Sequence, residues 1–148
     1  MQTPLVSPAL DRYFRDYEKN HVTPGNKICH QIGIPLIMVT LYGLLLRVPL
    51  GMQLNLALLL IFLAGIFYVW LDWKVGVSFT LVNVGLYFFS AALPVWFLWA
   101  GFIFGWIIQF VGHIFFEKRS PSFFQNLVHI FIGPAWIFSR LAGFRPLV

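Results

Sequence analysis

The chain has 148 residues, of which 59% are hydrophobic, 19% aromatic and only 10% charged, with a formal net charge of +5. A mean hydropathy of +0.81, carried by 17 Phe and 6 Trp among others, is more apolar surface than a soluble fold of this length can cover; this excludes a soluble domain and makes lipid the solvent. No basic cluster is interleaved with exposed aromatics, which excludes a nucleic-acid surface, and the lone Cys29 excludes an intramolecular disulfide and a CxxC metal site.

In chain order, Pro4 and Pro8 predict a frayed start, followed by a short polar helix on the membrane surface over Pro8 to Asn20 with Tyr13, Phe14 and Tyr17 facing inward. Nothing in Met1 to Lys27 has the apolar core of a cleavable signal peptide. Thr23-Pro24-Gly25-Asn26 is turn chemistry, which puts His21 before a turn and His30 at the head of the first span. That span, Ile32 to Leu46, has 15 residues and reaches spanning length only with His30 and Gln31. Three uncharged runs follow: Leu54 to Leu71, Val75 to Leu93 and Pro94 to Gly112. The last segment, Phe123 to Leu141, is interrupted by Asn126, His129, Gly133 and Pro134. Proline removes a backbone donor, so an interfacial or re-entrant helix fits better there than a fifth span. The expected fold is all-α: one polytopic membrane domain over residues 1–148, with four transmembrane helices and a C-terminal interfacial or re-entrant helix.

Basic residues set the orientation. Arg12, Arg15, Lys19, Lys27, Lys74, Lys118 and Arg119 fall on one side of this arrangement and only Arg47 on the other. The positive-inside rule then places both termini in the cytoplasm, in a bacterial inner membrane or the endoplasmic reticulum. An even number of spans gathers His21, His30, His113 and His129 at the cytoplasmic face. A lone interfacial histidine is ordinarily a hydrogen-bonded side chain, but four at one face point to a shared metal site, since polar groups in a membrane domain are costly. Imidazole suits iron, zinc, copper and nickel, and spacing alone leaves iron and zinc open. His113 and Glu117 are spaced i, i+4, so one helical face could present both. Asn83 reads as a hydrogen bond between helices, and Trp70, Trp73, Trp96, Trp99 and Trp106 as interface anchors or packing. A small transporter or channel, a haem protein with two axial histidines and a purely structural membrane protein are the alternatives.

Three runs resemble the signatures of the fungal 2-hydroxy fatty acid dioxygenase family. They are Y-E-K-N-H-V-T-P-G-N-K-I-C-H-Q-I-G-I-P (Tyr17 to Pro35), W-I-I-Q-F-V-G-H-I-F-F-E-K-R-S-P (Trp106 to Pro121) and N-L-V-H-I-F-I-G-P (Asn126 to Pro134). The resemblance implies an Fe(II)-dependent membrane enzyme of fatty acid α-oxidation, using O2 to convert a 2-hydroxy fatty acid to the acid one carbon shorter. Carried over by position, the metal ligands fall on His21, His30 and His113, with His129 as the fourth. A 2-hydroxy carboxylate can chelate iron through two oxygens while its tail stays in lipid. Four histidines and a bidentate substrate would fill an octahedron, so His129 is the candidate for a supporting or departing role. Glu117 is expected to orient a ligand imidazole, and Lys27, Lys118 or Arg119 to attract the carboxylate.

Overall fold

Two capped starts organise the N-terminal part of the computed structural model, which describes residues 6–121, 124 and 126–144. Ser7 caps α1 (Pro8–Glu18) by accepting from the Leu10 N–H, with Pro8 in the first turn, where its missing N–H goes unmissed. Pro4, expected to fray, lies outside the described residues. Thr23 and Pro24 repeat the device at the head of α2 (Pro24–Leu45). The segment Thr23 to Asn26, expected to be a turn, is therefore the cap and first turn of a 22-residue helix. Threonine and proline serve turns and helix starts alike, and only the continuing chain decides between them.

A small hairpin, β1 (Pro49–Gly51) and β2 (Leu54–Asn55), follows, with Met52 and Gln53 at positive φ in its tip. Next come α3 (Leu56–Leu71), α4 (Trp73–Ala91), capped by Asp72, and α5 (Val95–Val111). A π-helical turn, Gly112–Glu117, prolongs α5 and stops at Lys118, whose φ of 54° is left-handed. The last described element is α6 (His129–Leu141); the stretch expected to precede it, from Phe123, lies partly outside the described residues.

Among the described residues, three helices are long and apolar enough to cross a membrane: α2, α4, and α5 with its π-helical turn. The apolar runs predict four. α3 is as apolar but has 16 residues, about 24 Å of helix against a hydrocarbon core of about 30 Å. The hairpin has taken Leu54 and Asn55 from the start of its run. The four apolar helices nevertheless alternate in direction. Arg47, beyond the end of α2, donates to the Leu93 carbonyl ahead of α5. At the opposite end Ser7 donates to the Leu71 carbonyl and to Asp72, between α3 and α4.

Small residues bring α2 and α5 together. A Cβ on Gly105 would stand 2.7 Å from Ile37 and 3.2 Å from the Gly33 carbonyl oxygen, and one on Gly101 2.8 Å from Thr40. Such faces let helix backbones touch in lipid, where apolar burial alone drives no association. Their antiparallel contact sets the start of α2 beside the end of α5. Over that end lie α1 and α6. Ile132, Ala135, Trp136 and Ile137 are buried with Leu10, Phe14 and Tyr17 of α1 and with Tyr68 and Phe79, so α6 packs against both α1 and the end of the bundle. Glu18 ties the two together, accepting from Trp136 Nε1 and from Arg140.

Candidate metal centre

The structure brings His21, His30 and His113 together from three separate elements. His21 sits in the link between α1 and α2, His30 in the second turn of α2, and His113 in the π-helical turn. All three are buried, and one ring nitrogen from each lies within 4.8 Å of the others. Their ring centroids are 4.4 to 4.9 Å apart, with interplanar angles of 71° to 86°. Gly112 permits the approach: a Cβ there would stand 2.5 Å from Asn26 Oδ1 and 2.9 Å from Cys29 Cβ.

Hydrogen bonds fix two of the tautomers. His21 Nδ1 lies 2.7 Å from the Tyr17 carbonyl and His30 Nδ1 2.9 Å from the Asn26 carbonyl. A carbonyl only accepts, so each Nδ1 carries the proton and each Nε2 keeps its lone pair. Those two Nε2 atoms face one another at 3.1 Å. Two lone pairs at that separation repel unless an electrophile lies between them, either a proton or a metal ion. Burial pushes the His21 imidazole down to about 4, only partly offset by the Tyr17 carbonyl, so near neutral pH the proton is disfavoured there. The nitrogen donors therefore fit a metal ion. His113 Nδ1 is buried with no hydrogen-bond partner among the described residues.

Tyr17 stacks on His21, centroids 3.8 Å apart at 16°, and burial raises its phenol well above the ordinary value. The same ring meets His129 edge-on at 5.8 Å. His129 is outside the three-histidine group: its Nε2 is 3.0 Å from Asp16 Oδ2. The Asp16 carboxylate is held below its usual range by Lys19 first and also by His129.

Glu117 bonds to no histidine. Its carboxylate accepts from the Val22 N–H (2.9 Å), the Thr23 N–H (3.1 Å), the Thr23 hydroxyl (2.7 Å) and Asn26 Nδ2 (3.1 Å). The expected contact with an imidazole is replaced by a strut between the π-helical turn and the head of α2. The wider turn changes which way a residue four positions on from His113 faces.

From the three histidines an apolar cavity of about 140 Å³ runs into the bundle, lined by residues including Ile34, Met38 and Tyr42 of α2, Ala64 of α3 and Asn83 of α4. Buried nitrogen donors at one end of an apolar cavity can hold a metal ion against the polar head of a molecule whose tail lies in the cavity. Lys27, Lys118 and Arg119 do not line it; Lys118 and Arg119 are exposed. Asp16, Tyr17 and Asn26 belong to the site without having been expected there. Tyr17 and Asn26 each precede a histidine by four positions, which is a usable signal. Asp16 meets His129 across 113 positions, and no local pattern carries that.

Residues 8–145 match the family described as 2-hydroxy-palmitic acid dioxygenase Mpo1-like. The chain is 34% identical over 138 residues to 2-hydroxy-palmitic acid dioxygenase MPO1 of Saccharomyces cerevisiae, an alignment covering 88% of this chain and 79% of the yeast protein. No solved structure matches.

Proposed function

This chain belongs to the 2-hydroxy-palmitic acid dioxygenase Mpo1-like family, and we propose that it is an Fe(II)-dependent dioxygenase shortening 2-hydroxy fatty acids by one carbon. The observation that carries this is the pair of facing Nε2 lone pairs, joined by His113, at the head of an apolar cavity. His21, His30 and His113 would hold the ion, which supplies Lewis acidity and the redox chemistry that O2 needs. Three protein donors would leave room for a bidentate substrate and for O2, whereas four histidines with the same substrate would fill an octahedron. The overall reaction balances without an outside reductant. A 2-hydroxy acid and O2 give the shorter acid, CO2 and water, and the electrons lost by the substrate are those O2 takes up.

The chain's own residues divide the remaining work. The cavity takes the acyl tail and keeps bulk water from the head group. Asp16 holds His129 beside Tyr17, and Tyr17 backs His21. Lys27, Lys118 and Arg119 act from outside the cavity, drawing an anionic head group to this end of the bundle. In this reading the bundle crosses the membrane four times with both termini cytoplasmic. The alternation of the apolar helices and the Lys/Arg asymmetry support it, and local thinning of the bilayer accommodates α3.

The test is anaerobic reconstitution of purified protein with Fe(II), addition of 2-hydroxypalmitate and air, and product analysis by mass. The expected result is the acid one carbon shorter with matching oxygen uptake, while palmitate is left unconsumed. Equal consumption of both acids, or no oxygen uptake with iron bound, would refute the assignment.

A further inference from the structure

We propose that the buried Tyr42–Asn83 pair is the floor of an acyl tunnel and sets the longest tail the protein accepts; this rests on the fatty-acid function proposed for the site. Tyr42 lies twelve residues beyond His30 on α2, about 18 Å along the helix axis. Half the hydrocarbon core of a bilayer is about 15 Å, so this run matches the depth that one long acyl chain fills. The cavity lining follows it from the histidines past Ile34, Met38 and Ala64 to Tyr42 and Asn83. There it stops. The Tyr42 hydroxyl donates to Asn83 Oδ1 at 2.9 Å, and both residues are buried. Below the pair, Tyr42 packs with Ala57 and Ile61 in a second apolar cluster that fills the space toward the hairpin.

The floor works by exclusion. A tail leaving lipid for an apolar tunnel gains little per methylene, because lipid is as apolar as the tunnel. A methylene with nowhere to go lifts the head group away from the histidines. Ala64 is the small residue midway along the α3 side, flanked one turn away on either side by Leu60 and Tyr68, which also line the tunnel, so its size helps set the bore.

The experiment measures binding of plain saturated fatty acids, graded by single methylenes, to the metal-free protein, with affinity referred to free aqueous acid. Affinity should rise about fourfold per methylene while there is room and stop rising at a break. The double variant Tyr42→Val/Asn83→Ala should move the break to longer tails. Tyr42→Phe/Asn83→Leu, which replaces both hydrogen-bond partners by apolar groups of similar size, should leave it in place. Ala64→Leu should move it to shorter tails without touching the pair, and decides alone if the first double variant does not fold. A break at one length in all four proteins, or steady affinity gain with no break, overturns the proposal. Loss of turnover on 2-hydroxy acids in wild type would sink the dioxygenase reading while leaving this binding result to stand or fall separately.

Discussion

Removing the Glu117 carboxylate should loosen the candidate metal centre without touching a proposed ligand. In Glu117→Ala, four donors lose an acceptor: the N–H groups of Val22 and Thr23, the Thr23 hydroxyl and the Asn26 amide, which keeps only a longer bond to the Asn20 carbonyl. A hydrogen bond to a charged acceptor contributes about 1.5–3 kcal/mol. Water replaces the carboxylate readily at Val22, which is exposed, and poorly at Asn26, which is fully buried. Counting the inner bonds and discounting the rim gives a loss of about 3 kcal/mol. Glu117→Gln keeps one acceptor oxygen. Placed where three of the four donors converge, it leaves an amide N–H facing the Val22 N–H, for a cost nearer 1 kcal/mol.

The effect should reach the metal through Asn26. Its side chain is held by Glu117 and its carbonyl holds the Nδ1 proton of His30. The assay is equilibrium unfolding in mixed micelles alongside metal content at limiting Fe(II). Stability and metal affinity should fall together, in the order wild type, Gln, Ala. If Glu117→Ala unfolded like wild type and bound metal equally well yet lost turnover, the strut would be the wrong role, and the carboxylate would belong to the chemistry itself.

Alanine at His21, His30 or His113 should each bring metal content, read by elemental analysis, to background, since all three donors come from one group. Asp16→Asn should keep the metal and lower turnover by about 10-fold, because it disturbs His129 and, besides it, only the exposed pair with Lys19; a metal-free Asp16→Asn protein would make His129 a ligand. Gly105→Val should cost about 1–3 kcal/mol by overpacking the contact with Ile37 and Gly33, and should weaken metal binding as α2 and α5 separate. Unchanged unfolding and metal content in that variant would detach the site from the helix pair.

Much of this organisation is legible in the sequence because it depends on counting. The apolar runs locate α2 to α5, and their even number puts the start of α2 and the end of α5 at one end of the bundle. That arithmetic is enough to bring His30 toward His113. It cannot divide the histidines. His129 is set apart by Asp16, and their meeting depends on α1 packing against α6, an arrangement no local pattern encodes. Basic residues show only their charge in a sequence; where Lys118 and Arg119 face depends on how the π-helical turn ends. The shortfall of α3 is equally hidden, because a hairpin that pairs Leu54 and Asn55 with Pro49 to Gly51 takes two residues from an otherwise continuous apolar run.

The π-helical turn also explains why the spacing of His113 and Glu117 misleads. In an α-helix, residues four apart share a face, and the pair would read as an imidazole with its carboxylate. A π-helical turn closes i to i+5, and one added residue rotates the side chains beyond it by about 100° relative to an α-helix. The two side chains consequently divide over the same target, the link between α1 and α2. His113 reaches the ring of His21, centroids 4.9 Å apart, while Glu117 takes the backbone N–H groups of Val22 and Thr23 just past it. A link with no helix or strand of its own is thus held on both sides by one short segment of α5's extension. This places His21 opposite His30 before any ion arrives, so an ion entering the site would find its donors already converged and its binding would add to the stability of the fold.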